Sequence, residues 1–371
     1  MEKTENMILQ GDESSPYKGV FNRGVEMVME VFHARELLFQ LILRDIRIRY
    51  KQAALGFAWA IFMPLLIIAS GVLVKFAMSF LSQQPLDVSS IAGMGIKAMV
   101  WAFFAGCITF SSNVLSGNIN LVTKIYFPRE VLPLAAVFTQ VFDSFIGALG
   151  MSVLLFLFFD ITFSWTILWL IPLVFILICL SLALALFISC ANVFYRDIKY
   201  IVQVIITFGI FFTPVFYEPI MFGGAGCKLM MLNPLTPIME GMRLSVIGPS
   251  RLEQQMMAKT EGVSGEGNLI AKKSENARAS VSDVSEEVRK VNKETQSASR
   301  EEILMTKKSE SAETSVKEKS VGINLLKTFE VDGVRIWSPY YLLYSFLFAV
   351  GGLMLTWWNF HRLEFILPEY I

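Results

Sequence analysis

Six apolar segments divide this chain, and they leave it few ways to fold. They run over 56–80, 98–115, 131–159, 165–191, 200–220 and 339–360. A helix that crosses a bilayer needs about 20 mostly apolar residues. Inside hydrocarbon every backbone N–H and C=O must bond within the protein, so spans of this length are read as helices. The expected fold class is an all-α integral membrane protein with six transmembrane helices. Composition agrees: charged residues make up 17% of the chain, against about 25% in a soluble domain. The formal net charge is zero, which offers no basic footprint for nucleic acid. Membrane lipids are the expected surroundings.

Basic residues orient the spans. Arg35, Arg44, Arg47, Arg49, Lys51, Lys124, Arg129, Arg196, Lys199 and Arg362 fall at the two ends and in the even-numbered connections, whereas Lys97, Lys228 and Arg243 fall in the odd-numbered ones. Ten against three puts both termini in the cytoplasm. Residues 1–33 begin polar, carry no signal-peptide core, and read as a cytoplasmic tail.

Residues 118–133, NINLVTKIYFPREVLP, form a short polar break between two of the spans. Leu121 and Ile125, with Val122 and Tyr126 beside them, predict a turn and a half of amphipathic helix. Phe127-Pro128 should stop it, because proline disfavours helical geometry in the preceding residue. A short helix across the cytoplasmic mouth of a bundle is a handle that a soluble partner can push. The plainer reading is an ordinary positively charged loop.

Residues 34–52 have a different pattern. Leu38, Ile42 and Ile46 recur at i, i+4 and i+8, while Arg44, Arg47 and Lys51 lie on another face. Asp45 and Arg49 are spaced as an i,i+4 pair. This is a basic amphipathic helix suited to the membrane interface. It serves either as a surface anchor alone or as an anchor that also touches a cytoplasmic subunit. Residues 192–200, NVFYRDIKY, form a second short, charged and aromatic loop on the same side.

Several chemistries are excluded. Cys107, Cys179 and Cys190 lie in apolar segments and Cys227 stands alone in a short loop, which is neither a disulfide framework nor a metal-ligand spacing. The two histidines, His33 and His361, are too few for a zinc or Ser-His site. The glycines near 223–226 are followed by Cys227 and not by Lys-Ser/Thr, and no phosphate-loop pattern occurs anywhere. Thr236 instead suits a helix cap with Pro237 at the first position. The apolar run 238–247 is too short to span, so it reads as a re-entrant element on the outer side.

Residues 251–320 are rich in Lys, Glu and Ser and contain no aromatic side chain. Val281, Val284, Val288 and Val291 follow a 3-4-3 spacing that would suit one amphipathic helix, but so few heptads favour disorder. The chain divides into a tail (1–33), a first membrane part (34–249), a polar extracytoplasmic insertion (250–336), and a last span with a cytoplasmic end (337–371).

Four stretches carry a resemblance. RDIRIRYKQAALGFAWAIFMPLL, GNINLVTKIYFPREVLPLAAV, NVFYRDIKYIVQ and LNPLTPIMEGMR, in that order, resemble the membrane subunit of ABC-2-type exporters. More narrowly, they resemble the polysaccharide and polyol-phosphate exporters that handle O-antigen, capsule and teichoic acid chains. The insertion departs from that pattern. The resemblance implies a permease in the cytoplasmic (inner) membrane of a bacterium that moves a lipid-linked glycan or polyol-phosphate polymer. It implies two copies of this chain per channel and two separate ATPase subunits, which would bind the ATP and Mg while this chain binds no cofactor. It makes 34–52 the interface helix, 118–130 the coupling helix, 192–200 a second cytoplasmic contact and 228–249 an outer re-entrant hairpin. The ATPase contacts it implies are Arg44, Arg47, Arg49, Lys124, Ile125, Tyr126, Arg129, Glu130, Arg196 and Asp197.

A polymer path needs a polar or aromatic lining, and the candidates are Trp59, Trp101, Phe103, Phe104, Phe211, Phe212 and Tyr217. Asp143 is singled out because it lies about 18 Å along its helix, where an ionisable group should face the bundle interior or water. It is either part of a hydrated path or a packing carboxyl paired with Gln140 or Ser144. Two other functions compete: an ABC-2 permease for a lipid or small hydrophobic compound, and an ion-coupled secondary transporter. The latter should show internal repeats and matched ionisable residues; the sequence offers one mid-span carboxylate and no clear repeat. An enzyme is not expected, since no Ser/His/Asp or metal cluster is present.

Overall fold

The structure is a computed structural model that describes residues 29–51, 56, 58–82, 88–125, 127–158, 165–250, 253–254, 329–331 and 334–363. Tyr126, the N-terminal tail to residue 28 and the valine-spaced run 281–291 lie outside the described residues.

Helices dominate. In chain order they are α1 (Arg35–Tyr50), α2 (Ala58–Ser82), α3 (Val88–Ser112), α4 (Val114–Gly117), α5 (Ile119–Lys124), α6 (Val131–Phe158), α7 (Leu170–Phe194), α8 (Ile198–Phe212), α9 (Gly223–Met231), α10 (Leu235–Val246) and α11 (Pro339–Leu363). Two 3-10 turns, Trp165–Trp169 and Pro219–Phe222, lead into α7 and α9. Among the described residues, four helices are long and apolar enough to cross a membrane: Ser89–Ser112, Val131–Leu157, Trp165–Phe194 and Pro339–Leu363. The first and fifth expected spans contribute shorter apolar stretches, Leu65–Ala77 and Ile198–Phe212. At 15 residues, α8 is about 22 Å long, short of a hydrocarbon core of about 30 Å. It stops where expected: Thr213 is extended, with its amide still donating to the Gly209 carbonyl, and Pro214 follows.

The centre of the bundle is α7. Its 25 residues carry no charge, and side chains on every face are buried, from Leu173 and Ile176 to Cys190 and Val193. A helix apolar all round belongs inside. On the facing helix α11, Ser345 and Ala349 are fully buried, the small side chains that let membrane helices approach closely.

At the opposite end of α7 from the α7–α8 turn, α10 is buried along nearly its whole length. It is too short to span, in agreement with the sequence. Its start is different. Thr236 does not cap it: the helix begins at Leu235, whose amide donates to Asn233 Oδ1 at 3.1 Å. Asn233 reaches the backbone two residues on, the Asx-turn geometry, just ahead of the helix. Gly241 faces Leu173 and Trp337, and a Cβ there would meet both at 3.0 Å.

Two further expectations are corrected. Lys97 does not sit in a loop, because α3 begins ten residues earlier than the apolar run suggests and carries Lys97 inside, where it is 1% exposed. The chain is also not purely helical. An antiparallel hairpin pairs β1 (Phe329–Val331) with β2 (Val334–Trp337), in the register Val331 to Val334 and Glu330 to Arg335. The sequence between them is Asp332-Gly333, a hairpin signal that the helical pattern overshadowed.

Candidate functional site

One end of the bundle gathers the short polar connections. Asn118 Nδ2 donates to the Val114 carbonyl at 2.8 Å and fixes the bend between α4 and α5. Val122 is 1% exposed and roots α5 in the core. The helix ends two residues earlier than the sequence suggested: Ile125 is already extended, with φ −127° and ψ 133°. Ile125 is 58% exposed and Lys124 is exposed beside it. The α7–α8 turn is held by Asn192, whose Oδ1 accepts the Lys199 amide at 3.1 Å and whose Nδ2 reaches Ser116 Oγ at 3.5 Å. That side chain, 4% exposed, joins the second predicted contact loop to α4, just ahead of the first. The sequence hinted at it only as a lone amide closing an apolar run. Tyr195, Arg196 and Asp197 project from the turn, all exposed.

The predicted partner contacts therefore divide. Lys124, Ile125, Arg196 and Asp197 are exposed, and Arg129 is half-buried. Arg47 is exposed on α1, and half-buried Arg44 pairs with its neighbour Asp45 at 2.8 Å. Glu130 is not available there. It is 2% exposed and accepts from His361 Nδ1 at 3.1 Å, tying the start of α6 to the last turn of α11. A carboxylate taken from water needs such a partner.

Arg49 is likewise committed to the bundle. It does not pair with Asp45. Its guanidinium forms an ion pair with Asp143, donates to Gln140 Oε1 at 3.3 Å, and stacks 3.9 Å from the centre of the Phe110 ring. Tyr50 adds its hydroxyl to Asp143 Oδ1 at 2.5 Å. Asp143 thus faces the interior, as expected for a mid-helix carboxylate, but its partners come from α1 and not from Gln140 or Ser144. Gly106 makes the room, since a Cβ there would lie 2.5 Å from the Gln140 side chain. The leading strip of α1 consists of Leu37, Leu38, Leu41 and Ile42, of which Leu41 is buried, so the helix lies against α6 and delivers Arg49 to this pocket.

The aromatic lining candidates scatter. Phe103 is 5% exposed and belongs to the core, because its face of α3 turns toward the bundle centre. Trp59 is half out, edge-on to Phe62 at 5.5 Å. Tyr217 packs edge-on to Phe222 and donates to the Phe211 carbonyl at 2.9 Å. Phe211 is exposed, 6.1 Å from the Phe216 ring. Trp101, Phe104 and Phe212 share an apolar cavity of about 430 Å³ between α3, α7 and α8. Its wall is hydrocarbon apart from Thr213 and Asn233 near α10, so it suits an apolar chain better than a sugar.

Residues 36–247 match the ABC-2 type transporter family. The chain is similar to the O-antigen export system permease protein RfbA of Myxococcus xanthus, with 28% identity over 218 residues, 58% of this chain and 82% of that protein. It is also similar to the protein of the same name from Klebsiella pneumoniae, at 26% over 221 residues, 59% of this chain and 83% of that protein. The family match begins one residue into α1, takes in every element through α10, and stops short of the insertion and α11. This chain belongs to the ABC-2 type transporter family.

Proposed function

We propose that this chain is the membrane-spanning permease subunit of an ATP-binding cassette exporter, and that it moves a lipid-linked polysaccharide or polyol-phosphate polymer out across the cytoplasmic membrane. The likeness to O-antigen export permeases carries this reading. In it, α2, α3, α6, α7, α8 and α11 are the six spans, and both termini are cytoplasmic. Two copies form the channel, and a separate subunit hydrolyses ATP with its Mg. The chain has no catalytic residue of its own and binds no cofactor.

The exposed surface of Lys124, Ile125, Arg196 and Asp197 supports the partner assignment. It combines an apolar knob with charges of both signs on the side that the basic residues mark as cytoplasmic. In this reading α5 is the coupling helix, α1 the interface helix, and α9–α10 the outer re-entrant hairpin. A partner that presses on α5 moves α6 directly, since only Ile125 to Glu130 separate them. Pressure on α1 reaches α6 through Arg49 and Asp143.

A lipid permease is the second reading, favoured by the apolar cavity beside Trp101 and Phe104. Depleting the chain from its own host separates the two. Loss of surface glycan with lipid-linked polymer accumulating inside is the expected result. Normal surface glycan with altered lipid distribution would replace the glycan reading with the lipid one.

A further inference from the structure

A network of buried charges lies at the end of the bundle away from α5, and neither the fold nor the proposed transport role accounts for it. It begins at Lys75 on α2, which donates to Ser90 Oγ on α3. Ser90 donates to Glu218 Oε1 at 2.9 Å, and Ser250 donates to the other oxygen of Glu218 at 2.7 Å. The Ser250 amide donates to Glu253 Oε2 at 2.8 Å. Glu253 then grips Arg243 of α10 through both carboxylate oxygens, at 2.8 and 3.1 Å. Arg243 Nε donates to Glu240 at 2.7 Å, and Glu240 accepts from Lys97 on α3 at 2.8 Å.

Glu218, Glu240, Glu253, Arg243 and Lys97 are each no more than 3% exposed. The formal charges balance, with Lys75, Lys97 and Arg243 against Glu218, Glu240 and Glu253. Buried charge is tolerated only when it is paired and fully hydrogen-bonded. The balance therefore depends on Glu253, which comes from the first turn of the insertion and not from the transmembrane bundle. Gln254 adds a second tie, donating to the Pro249 carbonyl at 3.1 Å.

We propose that Ser250, Glu253 and Gln254 form a strap that keeps α10 seated: with the strap down, Arg243 is neutralised and α10 is locked to α3, and with the strap lifted, Arg243 is left in excess positive charge and α10 shifts to bring it to water. The base of the insertion is thus a control point for α10, so whatever engages the insertion acts on α10 through one carboxylate. The alternative, that Glu253 is a passive packing residue, predicts no movement of α10 or its neighbour α9 when the charge alone is removed.

Cys227 on α9 supplies the reporter. It is fully buried, and burial together with the Glu240 and Glu253 carboxylates pushes its thiol up to about 11. The test measures alkylation of Cys227 by a water-soluble maleimide, read by peptide mass spectrometry on the full chain in lipid nanodiscs. Glu253→Gln and Arg243→Met each break the balance and should speed Cys227 labelling at least tenfold. The double variant Arg243→Met/Glu253→Met removes one charge of each sign and should return labelling to within about threefold of the parent chain. The double variant also lacks the Glu253 carboxylate, so labelling that stays as fast as in Glu253→Gln would mean a direct charge effect on the thiol and would overturn the strap. Unchanged labelling in both single variants would overturn it equally. Should a single variant fail to fold, a well-folded double variant with parent-like labelling still supports the coupling, and a misfolded double variant counts against it. The readout requires no transport, so it stands apart from any failure of the export assignment.

Discussion

Arg49, on α1, neutralises Asp143, about 18 Å along α6. The pair lies where a bilayer would leave either charge stranded, and its side chains are 23% and 9% exposed. Breaking such a pair leaves the surviving charge uncompensated, which costs roughly 3 kcal/mol for a buried pair. Asp143→Asn should therefore lower stability by about that amount, although Tyr50 keeps a hydrogen-bonding partner. Arg49→Gln/Asp143→Asn should recover most of the loss, because two neutral amides can bond to each other and to Gln140. Thermal unfolding of the four members of this cycle in detergent checks it. Additive losses in the double variant would mean the two residues act independently.

The exposed surface beside α5 makes the opposite prediction. Ile125 and Arg196 contact little within the chain, and surface substitutions of this kind usually change stability by less than about 0.5 kcal/mol. Ile125→Asp and Arg196→Glu should leave the melting temperature and membrane insertion unchanged and reduce export at least tenfold. Export is read as surface glycan in cells that contain the ATPase partner. Normal export by either well-inserted variant would remove that residue from the contact.

Most of the span pattern was legible because hydrocarbon imposes one strong requirement, a long apolar run: among the described residues four of the six expected spans are helices long and apolar enough to cross a membrane, and the other two are shorter apolar helices. The helix stop at Thr213-Pro214 was legible because proline acts locally. The charge pairs were not. Lys97 and Arg243 were counted in the outer connections, since a charge is costly in a membrane until its partner is known, and the partners of Lys97 lie on other elements. Arg49 was misassigned for the same reason: spacing along one helix suggested Asp45, whereas the fold supplies Asp143. Phe103 and Phe104 are adjacent in sequence, yet one is core and the other cavity wall, because a helix turns about 100° between neighbours. The exposure of Lys124, Ile125, Arg196 and Asp197 was legible because position in or beside a short connection needs no tertiary knowledge.

The contact between α10 and the base of α11 should be sensitive to small changes. Trp337 is fully buried and its ring lies against Gly241. Gly241→Ala would bring a methyl to 3.0 Å from both Trp337 and Leu173, and overpacking of this kind costs about 1–3 kcal/mol. Trp337→Ala should cost about 3–5 kcal/mol through the cavity it leaves. Combining the two should cost less than their sum, because the alanine methyl partly fills the space vacated by the indole. Chemical or thermal unfolding in one detergent measures all three, and strict additivity would show that the two side chains do not compete for the same volume.

The insertion can be trimmed, but its margins are set by Glu253. Residues 255–328 lie outside the described residues, and their sequence holds no aromatic side chain with which to build a core. Replacing them with a short Gly-Ser linker between Gln254 and Phe329 changes the closure cost of one loop, and halving or doubling a loop alters that cost by only about 0.6 kcal/mol. The helical bundle should therefore melt within a few degrees of the parent chain. A deletion that starts four residues earlier, at Arg251, also removes Glu253. Arg243 then keeps Glu240 but loses its bidentate partner, and the expected loss is about 3 kcal/mol or more. The two deletions differ by only four residues, so linker length cannot explain a difference between them. Equal melting temperatures would show that Glu253 does not stabilise the bundle, and unfolding by both would show that the trimmed segment itself packs on it.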